Sequence, residues 1–381
     1  MNDMNAASRG LASGSRSGRQ QSGFSLVELM IAATISLLIM AAVLTLFLDV
    51  SRTNDEMART NAQIENGRFA LQLLQEDLAH AGFWDGYVPE FDDLSSSEDP
   101  TDVPDDVPSP CSWSATDNTN LLGIPVQVYD GIPPGCEAIV TNKKADTDVL
   151  VVRHAETCLP GVGNCEAEAA NKLYFQPSFC SSDAARYVMG TSGFTLMKRD
   201  CATPSNKRKV VSNLYYIRDY SVTAGDGIPT LMRSEFGPGP APKAAEALIE
   251  GIEGFRVELG IDSIGDGAVA NDYDEAVTFA LDVSGDADRS RPTNRGDGAP
   301  DGAFVRCPAG GCSVEQLIDV VAVKVFLLVR GLQSSPGYSD SKTYALGIAS
   351  PAAEIVGSNY KRHVYSTTAR LVNVSGRRET P

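Results

Sequence analysis

The chain has 381 residues, a formal net charge of −17 and 43% hydrophobic residues. This content is enough for a hydrophobic core, so the composition excludes a disordered protein, and the length suits one large or two modest domains. The strongly acidic balance argues against nucleic-acid binding, because an acidic surface repels a polyanion.

An uncharged stretch of 20 residues, Leu29 to Leu48, is the first element of the chain. At 1.5 Å per residue a helix of this length spans about 30 Å, which matches the hydrocarbon core of a bilayer. Residues 1–23 before it carry a net charge of +2, which keeps them in the cytoplasm by the positive-inside rule and leaves −19 on the remainder. We therefore predict a single membrane crossing over residues 24–48, with the rest of the chain in the periplasm.

A small-residue cleavage point lies before the apolar stretch and not after it. A secretory signal is cut behind its apolar region, whereas a cut after Gly23 leaves the membrane helix attached and gives Phe24 a new α-amine. Glu28 then places a carboxylate at the head of a membrane helix, where an ionisable group needs a cationic partner. The partner we expect is the Phe24 amine of a neighbouring subunit. The alternative is an ordinary interfacial glutamate.

The helix is predicted to continue beyond the membrane as residues 49–82. No proline occurs between Phe24 and Val88, and a stripe of apolar residues predicts the face that packs on a globular head. The stripe recurs every seven residues at Met57, Ile64, Leu71 and Leu78, with Phe69 and Leu74 beside it. We expect the helix to end near Gly82, with Gly67 as a weak point inside it.

The remainder divides into an acidic, proline-rich insertion at 83–146 and a β-rich head at 147–381. Residues 85–106 hold nine acidic and no basic residues, which predicts an irregular surface loop. Apolar runs and period-two patterns predict strands at 148–154, 255–261, 321–329 (a central strand) and 365–374. Glycine, proline and serine predict loops at 237–242, 284–302 and 334–341. The expected fold class is α+β, a long helix packed on a mainly antiparallel sheet.

Eight cysteines all follow the membrane stretch, as expected for disulfides in an oxidising periplasm. They are Cys111, Cys136, Cys158, Cys165, Cys180, Cys201, Cys307 and Cys312. Short loops favour pairing Cys158 with Cys165 and Cys307 with Cys312, and the other pairings stay open. Zinc is the alternative for the four cysteines from Cys158 to Cys201, but this segment lacks a Cys-x-x-Cys pair.

No catalytic site, cofactor or metal site is predicted. The three histidines, His80, His154 and His363, are too scattered for a metal motif on one helix, and Ser339 with Lys342 lacks the companion motifs of a serine acyl-enzyme. Calcium is the alternative, because hard oxygen ligands lie among glycines in two aspartate groups. The first group is Asp262, Asp266, Asp272 and Asp274, and the second is Asp286, Asp288, Asp297 and Asp301.

The segment Gly23-Phe24-Ser25-Leu26-Val27-Glu28-Leu29-Met30 resembles the class III leader junction of type IV pilins and type II secretion pseudopilins. The resemblance implies that a prepilin peptidase cuts after Gly23 and methylates the amine of Phe24. Four further segments resemble PilW-type minor pilins, at residues 68–83, 251–262, 325–330 and 360–373. Residues 83–142 and 284–311 lie outside this resemblance.

The resemblance implies a pilin-like fold and a non-enzymatic minor pilin that primes or caps a type IV pilus, at or near its tip. It implies an inner-membrane, single-pass protein that is incorporated into the surface pilus. The implied partners are other minor pilins, the major pilin, the assembly platform, the prepilin peptidase and a tip adhesin, with roles in adhesion and twitching motility. One alternative is a minor pseudopilin of a type II secretion system, and another is a membrane-tethered binding protein or hydrolase.

Overall fold

A helix of 55 residues, α1 (Leu26–His80), forms the N-terminal part of the described chain. The computed structural model describes residues 23–170, 172–236, 243–354 and 358–379, so most of the predicted leader and the predicted loop at 237–242 lie outside the described residues. The chain divides into two units, Met1–Met57 and Ala58–Pro381. In the first unit the apolar stretch of α1 is exposed throughout. In length and composition α1 is a helix that could span a membrane.

The face that α1 buries in the second unit differs from the predicted stripe. Met57 is 60% exposed, Ile64 is 39% exposed and Leu71 is only partly buried, so of the four predicted residues Leu78 alone is fully buried. The buried residues follow one another every three or four positions: Gln63, Gly67, Ala70, Leu74 and Leu78. Leu74 and Leu78 of the predicted stripe are thus confirmed as buried, whereas Met57 and Ile64 were wrong, because a seven-residue repeat drifts by about 20° per heptad around a straight helix.

Gly67 lies where α1 comes closest to the sheet, and the helix continues through it without a break. A Cβ atom at this position would lie 2.5 Å from Cε2 of Tyr365. The helix therefore needs a glycine here for close packing, which outweighs the low helix propensity of glycine. At the C-terminal end, Gly82 has a φ of +73° and ends the helix in the left-handed conformation, as the sequence predicted.

Fourteen strands are found among the described residues, and all named pairs are antiparallel. In chain order they are β1 (Val126–Tyr129), β2 (Val149–Ala155), β3 (Tyr174–Pro177), β4 (Tyr187–Gly190), β5 (Arg208–Arg218), β6 (Thr230–Phe236), β7 (Glu246–Glu250), β8 (Ile252–Ile261), β9 (Phe279–Leu281), β10 (Ala287–Pro292), β11 (Val320–Arg330), β12 (Thr343–Leu346), β13 (Ala349–Glu354) and β14 (Arg362–Arg370). With α1 they confirm the α+β class.

The strands form two main sheets and two hairpins. Seven strands, β1 to β7, make one sheet around β5, and β14, β11 and β8 make the second in that order. The predicted central strand at 321–329 is confirmed, because β11 has a partner on each side. One face of β11 packs through Val325 and Leu327 in the same core as Leu74 of α1. The other face packs through Phe326 and Leu328 against Tyr344 and Leu346 of β12. Burial on both faces explains why this strand is apolar on both faces except at Lys324 and Arg330.

Two predicted boundaries near the C-terminus and in the glycine-rich region were wrong. The last strand, β14, ends at Arg370, and the residues after it form a short helix, Val372–Arg378. The segment 284–302 is not a loop throughout, because β10 pairs with β9 inside it. Two further short helices, Asn118–Gly123 and Val314–Ile318, are numbered α2 and α3, so the C-terminal helix is α4.

The segment 83–146 is part of the head and not a separate insertion. Its strand β1 pairs with β2 over four residues, and its side chains Trp84 and Phe91 are buried. The predicted surface loop at 85–106 is irregular, with one 3-10 turn at Glu90–Asp92, but aromatic anchors hold it to the core. Acidic composition did not reveal this, because the anchoring aromatics are few and widely spaced.

A buried cluster of charges joins α4 to this segment. Arg378 is fully buried, and its Nε lies 2.9 Å from Oδ1 of Asp92. Its Nη1 lies 3.4 Å from Asp262 and 3.5 Å from Asp319, both of which are also buried. One guanidinium thus contacts carboxylates from the 83–146 segment, from the end of β8 and from the end of α3.

Candidate functional site

The first residues of α1 form a reciprocal pair of hydrogen bonds. The backbone N–H of Glu28 donates to Oγ of Ser25 at 3.2 Å, and the backbone N–H of Ser25 donates to Oε2 of Glu28 at 3.0 Å. Ser25 is therefore the N-cap and Glu28 the N3 residue of a capping box. This pair satisfies two of the backbone donors that a helix start leaves open. The Ser-x-x-Glu spacing of the box is visible in the sequence, although the prediction for Glu28 rested on its charge alone.

The capping box uses only part of the Glu28 carboxylate. Among the described residues Oε1 of Glu28 has no partner, and the side chain is exposed. Phe24, whose amine would be created by the predicted cleavage, is 87% exposed next to the box. No side chain of the described chain surrounds Gly23, so a Cβ there would meet nothing within 4 Å. No described side chain therefore covers the junction at Gly23. Oε1 of Glu28 is free to accept a hydrogen bond from a cation outside the chain.

The apolar stretch after the box satisfies its own polar groups. Oγ1 of Thr34 donates to the backbone carbonyl of Ile31, and Oγ1 of Thr45 donates to that of Ala42, each at 2.9 Å. Exposed apolar side chains with internally satisfied polar groups suit a lipid environment and would be unfavourable in water.

All eight cysteines are joined in pairs. The bonds are Cys111–Cys136, Cys158–Cys165, Cys180–Cys201 and Cys307–Cys312. The two short-loop pairs are those that the sequence favoured. The other two close loops of 25 and 21 residues, and spacing alone could not select them. Because these disulfides use every thiol, the structure leaves no thiolate for the alternative zinc site.

The two aspartate groups do not form a metal site among the described residues. The structure brings Asp262 of the first group close to the second, where its carboxylate accepts from the backbone N–H of Asp297 at 3.1 Å and of Gly298 at 2.9 Å. Burial raises the pKa of Asp262 to about 6, although the charge of Arg378 opposes this rise. Asp301 accepts from two backbone N–H groups at the end of β8. These carboxylates bind the chain's own donors.

His154 forms a buried contact between β2 and α1. Its Nε2 lies 3.0 Å from Oδ1 of Asp77, and its Nδ1 lies 2.8 Å from the carbonyl of Ala155. Both neighbours accept hydrogen bonds, so this arrangement favours the protonated ring, in which both nitrogens donate. Burial lowers the pKa of His154, but the hydrogen bond and charge of Asp77 outweigh it and raise the pKa. Asn213 and Tyr215 also donate to Asp77. This contact joins residues 77 positions apart, so no local sequence pattern indicates it.

The other residues considered for chemistry do not form a nucleophile and base pair among the described residues. The ring of His80 lies 5.5 Å from that of His154, and His363 packs against Tyr365 with a ring distance of 4.7 Å. Ser339 and Lys342 are both exposed near the start of β12. The chemistry that the structure supports is therefore that of the N-terminal capping box and its free carboxylate oxygen.

Comparisons with known proteins match two parts of the chain. Residues 214–373 match the model of the type IV pilus-assembly protein W family, and residues 18–44 match the prokaryotic N-terminal methylation motif. Among solved structures, a type IV-like pilin from Thermus thermophilus aligns with 11% identity and a TM-score of 0.29, over 82% of this chain and 97% of that one. No curated protein matches the chain. The two family matches confirm the resemblance at the leader junction and at residues 251–262, 325–330 and 360–373, whereas residues 68–83 lie outside both matches.

Proposed function

Because the chain carries a PilW domain behind an N-terminal methylation motif, we propose that this PilW-type type IV pilin is a minor subunit that primes or caps pilus assembly. The presence of both matches in one chain is the observation that carries the proposal. The match to the PilW family supports a structural role for the chain and is consistent with a protein that is not an enzyme. Its place in the filament is at or near the tip.

The N-terminal junction supports membrane insertion followed by cleavage. A leader of this class and one N-terminal apolar helix fit a single-pass, membrane-anchored pilin. In our proposal a prepilin peptidase cuts after Gly23 and methylates Phe24. The head then folds and forms its disulfides in the periplasm, while α1 keeps the subunit in the inner membrane until it enters the filament.

The capping box supports a two-stage role for Glu28. Before assembly, the hydrogen bond from Ser25 partly satisfies the carboxylate, which lowers the cost of holding it at the membrane boundary. During assembly, Oε1 accepts from the Phe24 amine of a neighbouring subunit. This ion pair fixes the axial register of the two helices, because it forms at one offset only.

The proposed partners follow from the family. They are the prepilin peptidase, other minor pilins, the major pilin and the assembly platform, with an adhesin at the tip. The leading alternative is a minor pseudopilin of a type II secretion system, since the methylation motif occurs in those proteins too.

A deletion strain tests the function and separates these two readings. We expect loss of surface pili in electron micrographs, restored by a wild-type copy but not by Gly23→Val, with secretion of exported enzymes unchanged. Normal pili together with a loss of secretion would contradict the proposal and would indicate a minor pseudopilin of a type II secretion system. Normal pili and normal secretion together would contradict both.

A further inference from the structure

A fully buried arginine in β2, Arg153, has no carboxylate partner among the described residues. Its Nη1 donates to the carbonyl of Ile124 at 3.2 Å, and its Nη2 donates to Oε1 of Gln127 at 2.5 Å. Its Nε is buried and has no acceptor in the described chain. Two neutral acceptors thus serve a guanidinium that has five N–H donors.

The charge of Arg153 persists at neutral pH. Burial lowers its pKa to about 10, although the nearby Tyr129 opposes this shift. A buried charge without a counter-charge is strongly unfavourable, and the buried arginines Arg306 and Arg378 pair with aspartates. Arg295 is also buried without a carboxylate contact, but backbone carbonyls accept from its Nε, Nη1 and Nη2. Arg153 differs from Arg295 because its Nε has no acceptor in the described chain.

Arg153 lines a small cavity together with three serines, whose hydroxyls can donate hydrogen bonds. The cavity has a volume of about 10 Å³ and is lined by Ser109, Ser112 and Ser212, with apolar side chains such as Trp84 forming the rest of its wall. No acidic residue lines it. Oγ of Ser109 already accepts from the backbone N–H of Cys111, which leaves its O–H free to donate. The size suits a single water or a single small ion.

We propose that this cavity binds one monatomic anion of the chloride class, held by Nε of Arg153 and by serine hydroxyls. A halide accepts hydrogen bonds, carries the missing negative charge and tolerates an apolar wall. The bound anion would join β2 and β5 to the 109–112 segment beside the Cys111–Cys136 disulfide. The site would therefore stabilise the part of the head that lies outside the PilW match.

Thermal unfolding of the full chain in detergent tests the proposal. We expect the unfolding midpoint in sodium chloride or bromide to exceed that in sodium gluconate at equal ionic strength by a few degrees, and to saturate as halide is added. In Arg153→Met the halide dependence should disappear. The matched control is Arg186→Met, which removes an exposed arginine paired with Glu90 and should keep the full halide effect.

Equal midpoints of the wild type in halide and gluconate would overturn the proposal and indicate a water. So would a halide effect that survives intact in Arg153→Met. If that variant does not fold, anomalous diffraction from wild-type crystals soaked in bromide decides the matter. A peak within hydrogen-bond distance of Nε of Arg153 is expected, and its absence would contradict the site.

Discussion

Gly67 shows how a single residue sets the distance between α1 and the sheet. The ring of Tyr365 occupies the space that a side chain at position 67 would need. Neighbouring Gln63 uses the same close approach, because its amide donates to the backbone carbonyls of Val329 at 2.7 Å and Lys361 at 3.2 Å. The low helix propensity of glycine predicted a weak point at this position. The packed structure shows instead that the small size of Gly67 is needed.

Replacing this glycine by alanine should therefore destabilise the head. In Gly67→Ala the added methyl group meets the Tyr365 ring, and we expect a loss of about 1–3 kcal/mol in the free energy of unfolding, as for other overpacked sites. The matched control is Gly376→Ala in α4, where a Cβ meets nothing within 4 Å and the better helix propensity should stabilise slightly. Urea denaturation compares the two. Equal effects would contradict the packing role of Gly67.

Processing at the N-terminus depends on a second single residue. We predict that Gly23→Val blocks the cut, because a β-branched side chain would enter the position that the peptidase needs free of a side chain. Sequencing of the membrane-purified wild type should begin at Phe24, with a methylated amine in its mass, whereas the variant should keep its leader. An intact Met1 N-terminus on the wild type in a piliated strain would rule out cleavage.

The packing of α1 on the head includes an electrostatic contact between Asp77 and His154. The folded-state pKa of His154 is raised above its unfolded value of about 6.5. The contact therefore contributes its full stability below about pH 6.5 and loses it as pH rises through the folded pKa. His80 and Glu156 also lie close enough to influence the ring.

Comparing the wild type with Asp77→Asn across pH measures this contribution. The urea midpoint of the wild type should be higher than that of the variant. This difference in midpoint should be largest at pH 5.5 and should decrease as the pH rises. Glu76→Gln, which changes an exposed carboxylate one residue earlier on α1, is the control and should show no such trend. A gap that stays constant with pH would mean that His154 does not titrate with folding.

The four disulfides each close a loop of the head, and their pairing can be tested directly. Mass mapping of non-reduced peptides should find the two short-range pairs together with Cys111–Cys136 and Cys180–Cys201. Closing these loops restricts the unfolded chain, so reduction should lower the unfolding midpoint. Mostly free thiols, or bound zinc, would contradict the assignment.

At the scale of the whole molecule, Arg378 connects parts of the chain that are far apart in sequence. Removing this guanidinium leaves three carboxylates buried together, so Arg378→Met should cost about 3–5 kcal/mol in the free energy of unfolding. Arg370→Met is the control, because Arg370 pairs with Glu379 at the surface and should cost at most about 1 kcal/mol. Similar losses in the two variants would mean that the buried cluster adds little.

The sequence was most informative where a local pattern decides the structure. The apolar stretch, the helix end at Gly82 and the central strand β11 each depend on neighbouring residues, and each was predicted. The buried face of α1 was predicted only in part, at Leu74 and Leu78, because the small and polar residues Gln63, Gly67 and Ala70 that complete it do not stand out in an apolar pattern. The contacts of Asp77, Arg153 and Arg378 also join distant positions, for which one sequence gives no signal.

The role of Glu28 can be separated into charge and capping by one substitution. Glutamine at N3 keeps a capping box but removes the carboxylate charge, whereas leucine removes both. If pairing with the Phe24 amine of a neighbour drives assembly, Glu28→Gln should lose surface pili as severely as Glu28→Leu, and Glu28→Asp should be intermediate because its reach is one methylene shorter. Asp49→Asn, at an exposed acidic position further along α1, should leave piliation unchanged.

The most direct test of the account is therefore the number of surface pili in a strain that expresses Glu28→Gln at the native level. We predict that the variant is inserted and cleaved normally, because the apolar stretch and Gly23 remain, while pili and copurification with other minor pilins fall sharply. Normal piliation in this variant would show that Glu28 acts only as a helix cap, and would contradict the proposed way in which this subunit joins a filament.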